Sequence, residues 1–345
     1  MSAFKDFSMT SAYLLLENVL RFFIVVGALA IGFGLAGAMV GTVVVYALLL
    51  VAFAAQLFRR HTNVFSSISS PIKGKEIKRF GMWIAGASLI GSVYGSIDQF
   101  IVASLLPVEQ LGFYRIAAGW AVASVSIIPI TAFVINPYLS AARSTNEARR
   151  ILTYSLKYIL IMAFPIAFLL SAMAKPIVTV FYGAEFIGSA ASLSILAFTV
   201  VPIATINVLQ SYYAAVDRPD VITKTTFTIT VATIALLVTL TKSAGLVGAS
   251  IAMLTVRTLE ILSYMLLSRT LSRENIMIFA KPLFAALVVY AASGFVKIVT
   301  LLDMVVIGTL LAITYTGILF AVGSLTRAEV SMLLGFAGYK RGEAK

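Results

Sequence analysis

Residues 94–118 read YGSIDQFIVASLLPVEQLGFYRIAA, an apolar run on each side of Pro107, interrupted by Asp98 in its first half and Arg115 in its second. Proline followed by Val108-Glu109-Gln110 is a turn signal, so the stretch predicts two antiparallel helices joined at Pro107. Asp98 lies nine residues before the proline and Arg115 eight after it. At ~1.5 Å of rise per residue the two charges reach the same depth, about 10–12 Å from the turn. An isolated charge at the centre of a bilayer costs at least about 3 kcal/mol, so the two are expected to pair or to face a wet cavity.

The rest of the chain places this hairpin in a membrane. Sixty per cent of its 345 residues are hydrophobic and only 12% are charged, and the mean hydropathy is +1.01; soluble domains are about 25% charged. A helix needs about twenty apolar residues to cross hydrocarbon, and ten such stretches follow one another at 13–33, 35–57, 80–105, 111–138, 153–174, 187–213, 223–242, 245–267, 279–300 and 303–325. The expected fold is an all-α polytopic membrane protein of about ten transmembrane helices, with no separate soluble domain. Lys5 and Asp6 lead into a long apolar segment without a small-residue cleavage site, so no signal peptide is expected. The absence of cysteine excludes disulfides and thiolate metal sites, and the single histidine, His61, excludes imidazole clusters. No metal site and no cofactor are expected.

The net charge of +12 follows the loops. Arg59, Arg60, Lys73, Lys75, Lys78 and Arg79 follow the second span; Arg143, Arg149 and Arg150 the fourth; Arg218 the sixth; Arg269 and Arg273 the eighth. The tail adds Arg327, Lys340, Arg341 and Lys345, whereas the intervening turns are short and hold mainly Lys175, Lys242, Lys297 and the acids Glu109, Glu185 and Asp303. Cytoplasmic loops carry the Lys/Arg excess, so both termini are expected on the cytoplasmic side of the cell membrane. The basic balance then reflects topology and attraction to anionic lipid headgroups. No basic stretch has the aromatic interleaving of a nucleic-acid surface, so nucleic acid is not an expected partner.

The chain also repeats itself. GLAGA (34–38) and GLVGA (245–249) each open a span after a tight turn. The second opens the sixth helix counted from residue 80. If the first also opens a sixth helix, the chain holds only the last two helices of a first six-helix lobe, in the manner of transporters built from two parallel repeats. The expected division is residues 1–79 as those two helices with a cytoplasmic linker, 80–268 as a complete six-helix lobe, and 269–345 as an added helix pair with a basic tail. Ordinary small-residue packing between membrane helices accounts for the same motif without a repeat.

Taken in order, Asp98 with GFYRIA (112–117), PYLS (137–140), FYGAEF (181–186), DRP (217–219) and GLVGA (245–249) resembles the second lobe of polysaccharide transporters. These are the O-antigen flippase-type family of the multidrug/oligosaccharidyl-lipid/polysaccharide flippase superfamily. The resemblance covers nearly the whole chain and lacks the family's first four helices. It implies two lobes around a central cavity and alternating-access transfer of polyprenyl-(pyro)phosphate-linked oligosaccharides between leaflets. Implied partners are that lipid-linked saccharide, the membrane lipids and the enzymes of polysaccharide (O-antigen or lipopolysaccharide) biosynthesis.

Within the spans, Glu17 and Arg21 are spaced i,i+4 and Arg257 and Glu260 i,i+3, so each acid has an evident neighbour. These pairs, with Asp98 and Arg115, serve either as structural neutralisation or as coupling sites where an acid takes a proton or Na⁺. Arginine binds phosphate through a planar fork of charge-assisted bonds. Arg257, near mid-membrane, and Arg21 are therefore the candidate headgroup ligands. Asn207, Gln210 and Tyr213 share a helical face and offer hydrogen bonds either to sugar hydroxyls or between helices. Thr223, Thr226, Thr230 and Thr233 share another, where bonding to their own backbone is expected. Pro129, Pro165 and Pro202 fall inside spans and are expected to kink them; Trp83 reads as an interfacial anchor. No G-x-x-x-x-G-K-[ST] loop occurs, which argues against an ATP-driven pump, and short turns on the non-cytoplasmic side argue against an enzyme. The expected function is a lipid-linked saccharide flippase; a non-transporting remnant and a multidrug exporter are the alternatives.

Overall fold

The computed structural model describes residues 7–60, 95–128, 138–139, 142, 144–268, 273–294, 296 and 300–325. Every regular element among them is helical. A chain surrounded by hydrocarbon must satisfy its backbone polar groups within itself, and an open helix is the simplest way to do so. The chain folds as two compact units, Met1–Ala87 and Ser88–Lys345.

The first unit is a hairpin of α1 (Phe7–Ala30) and α2 (Gly34–Arg60), which pack along one another. The second begins with α3, described from residue 95 to residue 105. It continues with α4 (Val108–Ser126), α5 (Thr145–Ala172), α6 (Ala174–Phe181), α7 (Ser189–Leu196) and α8 (Val200–Ala215). The run Pro219–Ser268 is α9, followed by α10 (Arg273–Ser293) and α11 (Leu301–Ala321). Trp83 and Pro129 lie outside the described residues, as do most of the charges after α2.

Local chemistry sets the ends. Ser144 caps α5 by accepting from the backbone N–H of Glu147 at 3.2 Å, so the helix begins eight residues before the apolar stretch predicted from 153. Thr300 and Asp303 form a reciprocal capping box at the start of α11, with bonds of 3.1 and 2.9 Å. Asp217 turns the chain between α8 and α9 at φ 57°, a conformation its short side chain tolerates, and Pro219 follows as the first helical residue. The span expected at 187–213 is one continuous apolar stretch, Ser189–Ala215, tightened in the middle. A 3₁₀ segment, Ala197–Thr199, separates α7 from α8, and Pro202 sits in the first turn of α8, where its missing N–H costs nothing. Pro165 lies within α5.

α9 contains 50 residues, more than one crossing requires, and it is not straight. Ala244 (φ −133°) and Gly245 (φ 58°, ψ −137°) break it into two arms, at the boundary expected between 242 and 245. The two copies of the glycine motif adopt matching conformations. Gly34 has φ 57° and Gly245 φ 58°, both in the left-handed region. A Cβ on Gly37 would collide with the Phe33 Cβ, and one on Gly248 with the Leu240 carbonyl oxygen. In each copy the first glycine has a left-handed φ at the turn; Gly248 then lets the new arm start hard against the old one, whereas Gly37 is crowded by Phe33 of its own turn.

The core of the second unit lies where α5, α7, α8 and α9 meet, around the fully buried Tyr114, Leu156, Ile159, Leu193, Leu209 and Tyr264. α10 and α11 join it through α5: Leu160, Phe164 and Phe168 pack against Ala285, Val289, Leu311 and Leu319. The Tyr315 hydroxyl donates to the Ile161 carbonyl at 3.0 Å. The long apolar helices make this a multi-pass membrane protein. Adding a methyl at residue 248 should cost about 2 kcal/mol because backbone opposes it, and Gly245→Ala about 1–2 kcal/mol through its φ. Gly317→Ala, which meets open space, should be near neutral; unfolding titrations in mixed detergent micelles measure all three.

Candidate functional site

A cavity of about 290 Å³ opens inside the second unit, lined by α3, α4, the α7–α8 junction and both arms of α9. Its polar lining is Asp98 and Gln99 from α3, Tyr114 and Arg115 from α4, Thr199, and Thr233 and Arg257 from the two arms. The hydroxyls of Thr199 and Thr233 donate to Leu196 and Ile229 carbonyls at 2.6 and 2.7 Å, leaving the charged groups to set the character of the space. Two guanidinium groups and one carboxylate give the lining a formal charge of +1.

The α3–α4 hairpin forms as expected, but its charges do not meet as an ion pair. The Tyr114 hydroxyl donates to Asp98 Oδ2 at 2.9 Å, and Arg115 Nη1 donates to Gln99 Oε1 at 2.6 Å. Both bonds link residues sixteen apart. The matched depth is real; the pairing is shifted so that each charge takes a neutral partner. Tyr114 is fully buried, and its hydroxyl needs an acceptor there, which Asp98 supplies. Arg115 stays exposed and can turn to another anion.

Arg257 and Glu260 do pair. Arg257 Nη1 lies 2.8 Å from Glu260 Oε2, with the carboxylate side chain only 2% exposed and the arginine 22%. Three residues of helix place both on one face, so the contact needs no tertiary accident. Arg257 reaches the cavity, while Glu260 stands behind it, outside the lining. One turn further, Tyr264 accepts from Gln210 Nε2 at 3.4 Å on its hydroxyl and from the Tyr213 hydroxyl at 3.0 Å on its carbonyl. Gln210 and Tyr213 thus bond between helices, while Asn207 lies exposed on the same helix.

The remaining expectations fall elsewhere. Arg21 Nη2 donates to Asn18 Oδ1 at 3.0 Å rather than to Glu17: in α1 the shorter i−3 reach wins over i−4. Arg21 and Glu17 belong to the first unit. Thr230 donates to the Thr226 carbonyl at 2.7 Å, as expected for a threonine in a membrane helix. Sequence reading did not single out Gln99 and Tyr114 as partners, although both stand beside a charged residue. A second cavity of about 430 Å³ is almost entirely apolar. Phe164, Phe168, Phe198, Leu254, Ile261 and Leu283 are among its lining.

Double-mutant cycles test the shifted register. Tyr114→Phe with Asp98→Asn should show a coupling of about 1 kcal/mol in unfolding free energy, and Arg115→Gln with Asp98→Asn less than about half of that.

A solved structure of the lipid II flippase MurJ, in an inward closed conformation, superposes on the chain with a TM-score of 0.70 at 14% sequence identity. The match covers 88% of this chain and 67% of that one, which establishes a shared fold. No curated protein sequence matches. A family profile described as polysaccharide biosynthesis protein matches residues 4–191, more than half of the chain. That match, which takes in the α3–α4 hairpin and the first glycine-opened span, makes the chain a member of the polysaccharide biosynthesis protein family.

Proposed function

We propose that the chain is a flippase that carries lipid-linked oligosaccharide or polysaccharide precursors across the cytoplasmic membrane by alternating access, with both termini in the cytoplasm. The observation that carries the reading is Arg257 lining a cavity inside a membrane bundle, with Arg115 also in the lining. A lipid-linked sugar presents a phosphate or pyrophosphate, and two guanidinium groups within a small, partly dehydrated space are suited to hold it. Family membership and the fold shared with a lipid II flippase agree with that cargo.

The second cavity supports the lipid half of such a ligand. Leu254, Thr258 and Ile261 line it, while Met253, Val256 and Arg257 line the polar one. One helical arm therefore shows an anion-binding face and an apolar face within a single turn, which fits a headgroup joined to a hydrocarbon chain. Asn207 and Gln210 belong to α8 away from the polar lining, where Gln210 bonds to Tyr264 and Asn207 is exposed. Arg21 belongs to the first unit, whose acid Glu17, like Asp98 and Glu260 in the second, serves as a structural charge or an ion-coupling site. The action is movement of a bound lipid rather than bond cleavage, so no enzymatic role is proposed.

A second reading draws on the coverage of 67% of the flippase structure: a membrane protein that transports nothing and associates with polysaccharide-synthesising enzymes. Translocation of a fluorescent polyprenyl-pyrophosphate oligosaccharide by proteoliposomes holding the full chain separates the two. Arg257→Ala should lower the rate at least about tenfold, the worth of roughly one charge-assisted bond of 1.5–3 kcal/mol, with unchanged protein level in the membrane. Arg257→Lys should restore part of it. An unchanged rate in Arg257→Ala rules out the headgroup assignment, and no translocation by the wild-type chain favours the second reading.

A further inference from the structure

Gln99 and Arg115 lie eight residues to either side of Pro107, so in an antiparallel hairpin they are level across the two helices. Arg115 Nη1 donates to Gln99 Oε1 at 2.6 Å, and both residues line the polar cavity. Asp98, the carboxylate next to Gln99 in the chain, instead accepts from the buried Tyr114 hydroxyl at 2.9 Å. The acceptor at Arg115 is therefore an amide, which fixes a guanidinium without cancelling its charge. An amide oxygen also takes only one N–H of a guanidinium that carries several, so the remaining donors can serve a ligand at the same time.

Space for that ligand lies beside the bond. Gly95 and Gly119 are each twelve residues from Pro107, one helical turn beyond Gln99 and Arg115 and level with one another. Residues four apart share a helix face, so each glycine continues the face that carries its polar neighbour. Both glycines line the cavity, and a Cβ on either would meet no atom of a neighbouring helix within 4 Å. A held guanidinium therefore stands one turn from an open gap between two backbones.

We propose that Gln99 is a positioning residue for the anionic headgroup: it holds Arg115 at the cavity with its charge uncancelled, so that a phosphate or pyrophosphate binds Arg115 in the gap between Gly95 and Gly119. The proposal rests on the headgroup reading above and deepens it by naming the subsite. An arginine side chain loses rotamer freedom when it clamps a ligand, and one already fixed loses less. Phosphate oxygens match the guanidinium fork through charge-assisted bonds. A carboxylate at position 99 would occupy the same fork and remove the positive excess of the lining. A mere clamp between α3 and α4 is served as well by a carboxylate as by an amide. Headgroup binding is not, and that difference separates the two roles.

The test uses the full chain in lipid nanodiscs, with geranylgeranyl pyrophosphate as the charged probe and geranylgeraniol as its uncharged counterpart. Gln99→Glu should weaken pyrophosphate binding at least about tenfold, leave the alcohol within about twofold of wild type, and not lower the unfolding temperature. Gln99→Met loses the acceptor and keeps the volume; it should weaken the pyrophosphate about threefold, and change nothing further in an Arg115→Gln background. Gly119→Leu enters open space, so it should fold, and by filling the gap it should weaken the pyrophosphate about tenfold. Unchanged pyrophosphate binding in Gln99→Glu overturns the positioning role. If that variant does not fold, the Gln99→Met cycle decides: no loss, or an equal loss with and without Arg115, overturns it. Unchanged binding in Gly119→Leu overturns the subsite. These results leave the Arg257 assignment standing, whereas a wild type that binds the alcohol as tightly as the pyrophosphate overturns the headgroup reading and this proposal together.

Discussion

Hydrocarbon offers no hydrogen bonds, and that single constraint orders this molecule. Every backbone N–H and C=O in the membrane must find its partner inside the chain. The described residues answer with helices alone and confine each reversal to a few positions of special conformation. Gly34 and Gly245 adopt left-handed φ where a non-glycine residue would be strained, and Asp217 adopts it at a turn its side chain can stabilise. Close behind Gly245, Gly248 admits the next arm without spacing from the last. The agreement between the two glycine motifs extends from sequence to the φ of the first glycine.

The same constraint governs the polar side chains. Water cannot solvate them at depth, and many are bound within the chain: Thr230 to its own helix, Tyr213 and Gln210 to a neighbouring one, Asp98 to Tyr114, Glu260 to Arg257. Asp98, Tyr114 and Arg257 among them line a small cavity of the second unit. Arg257 belongs both to that cavity and to a buried ion pair.

Part of this was legible residue by residue. Apolar runs of twenty residues announced the spans, and the breaks at 244–245 and 217–219 were marked by glycine and by the Asp-Arg-Pro turn. The Arg257–Glu260 pair was readable because i,i+3 neighbours on a helix are close whatever else the chain does. Glu17 and Arg21 obeyed the same rule less well, since Asn18 offered Arg21 an uncharged acceptor at the same reach. The 3₁₀ segment at 197–199 was visible only as Pro202, and proline in a run of apolar residues does not say whether it kinks a helix or starts one.

What the sequence determined by itself was therefore whatever depends on distance along one helix: length against the bilayer, capping, turns, and charge pairs within a turn. The hairpin shows the limit. Counting residues from Pro107 set Asp98 and Arg115 at equal depth, but depth says nothing of rotation about each helix axis. The pairing went to Tyr114 and Gln99, one residue away. Which residues from α3, α4, α8 and the two arms of α9 share a cavity, and that Arg257 faces it while Glu260 lies behind, was decided only by tertiary packing. Helices lock side by side through shape, and shape fixes azimuth, which no periodicity in a single strand of sequence contains.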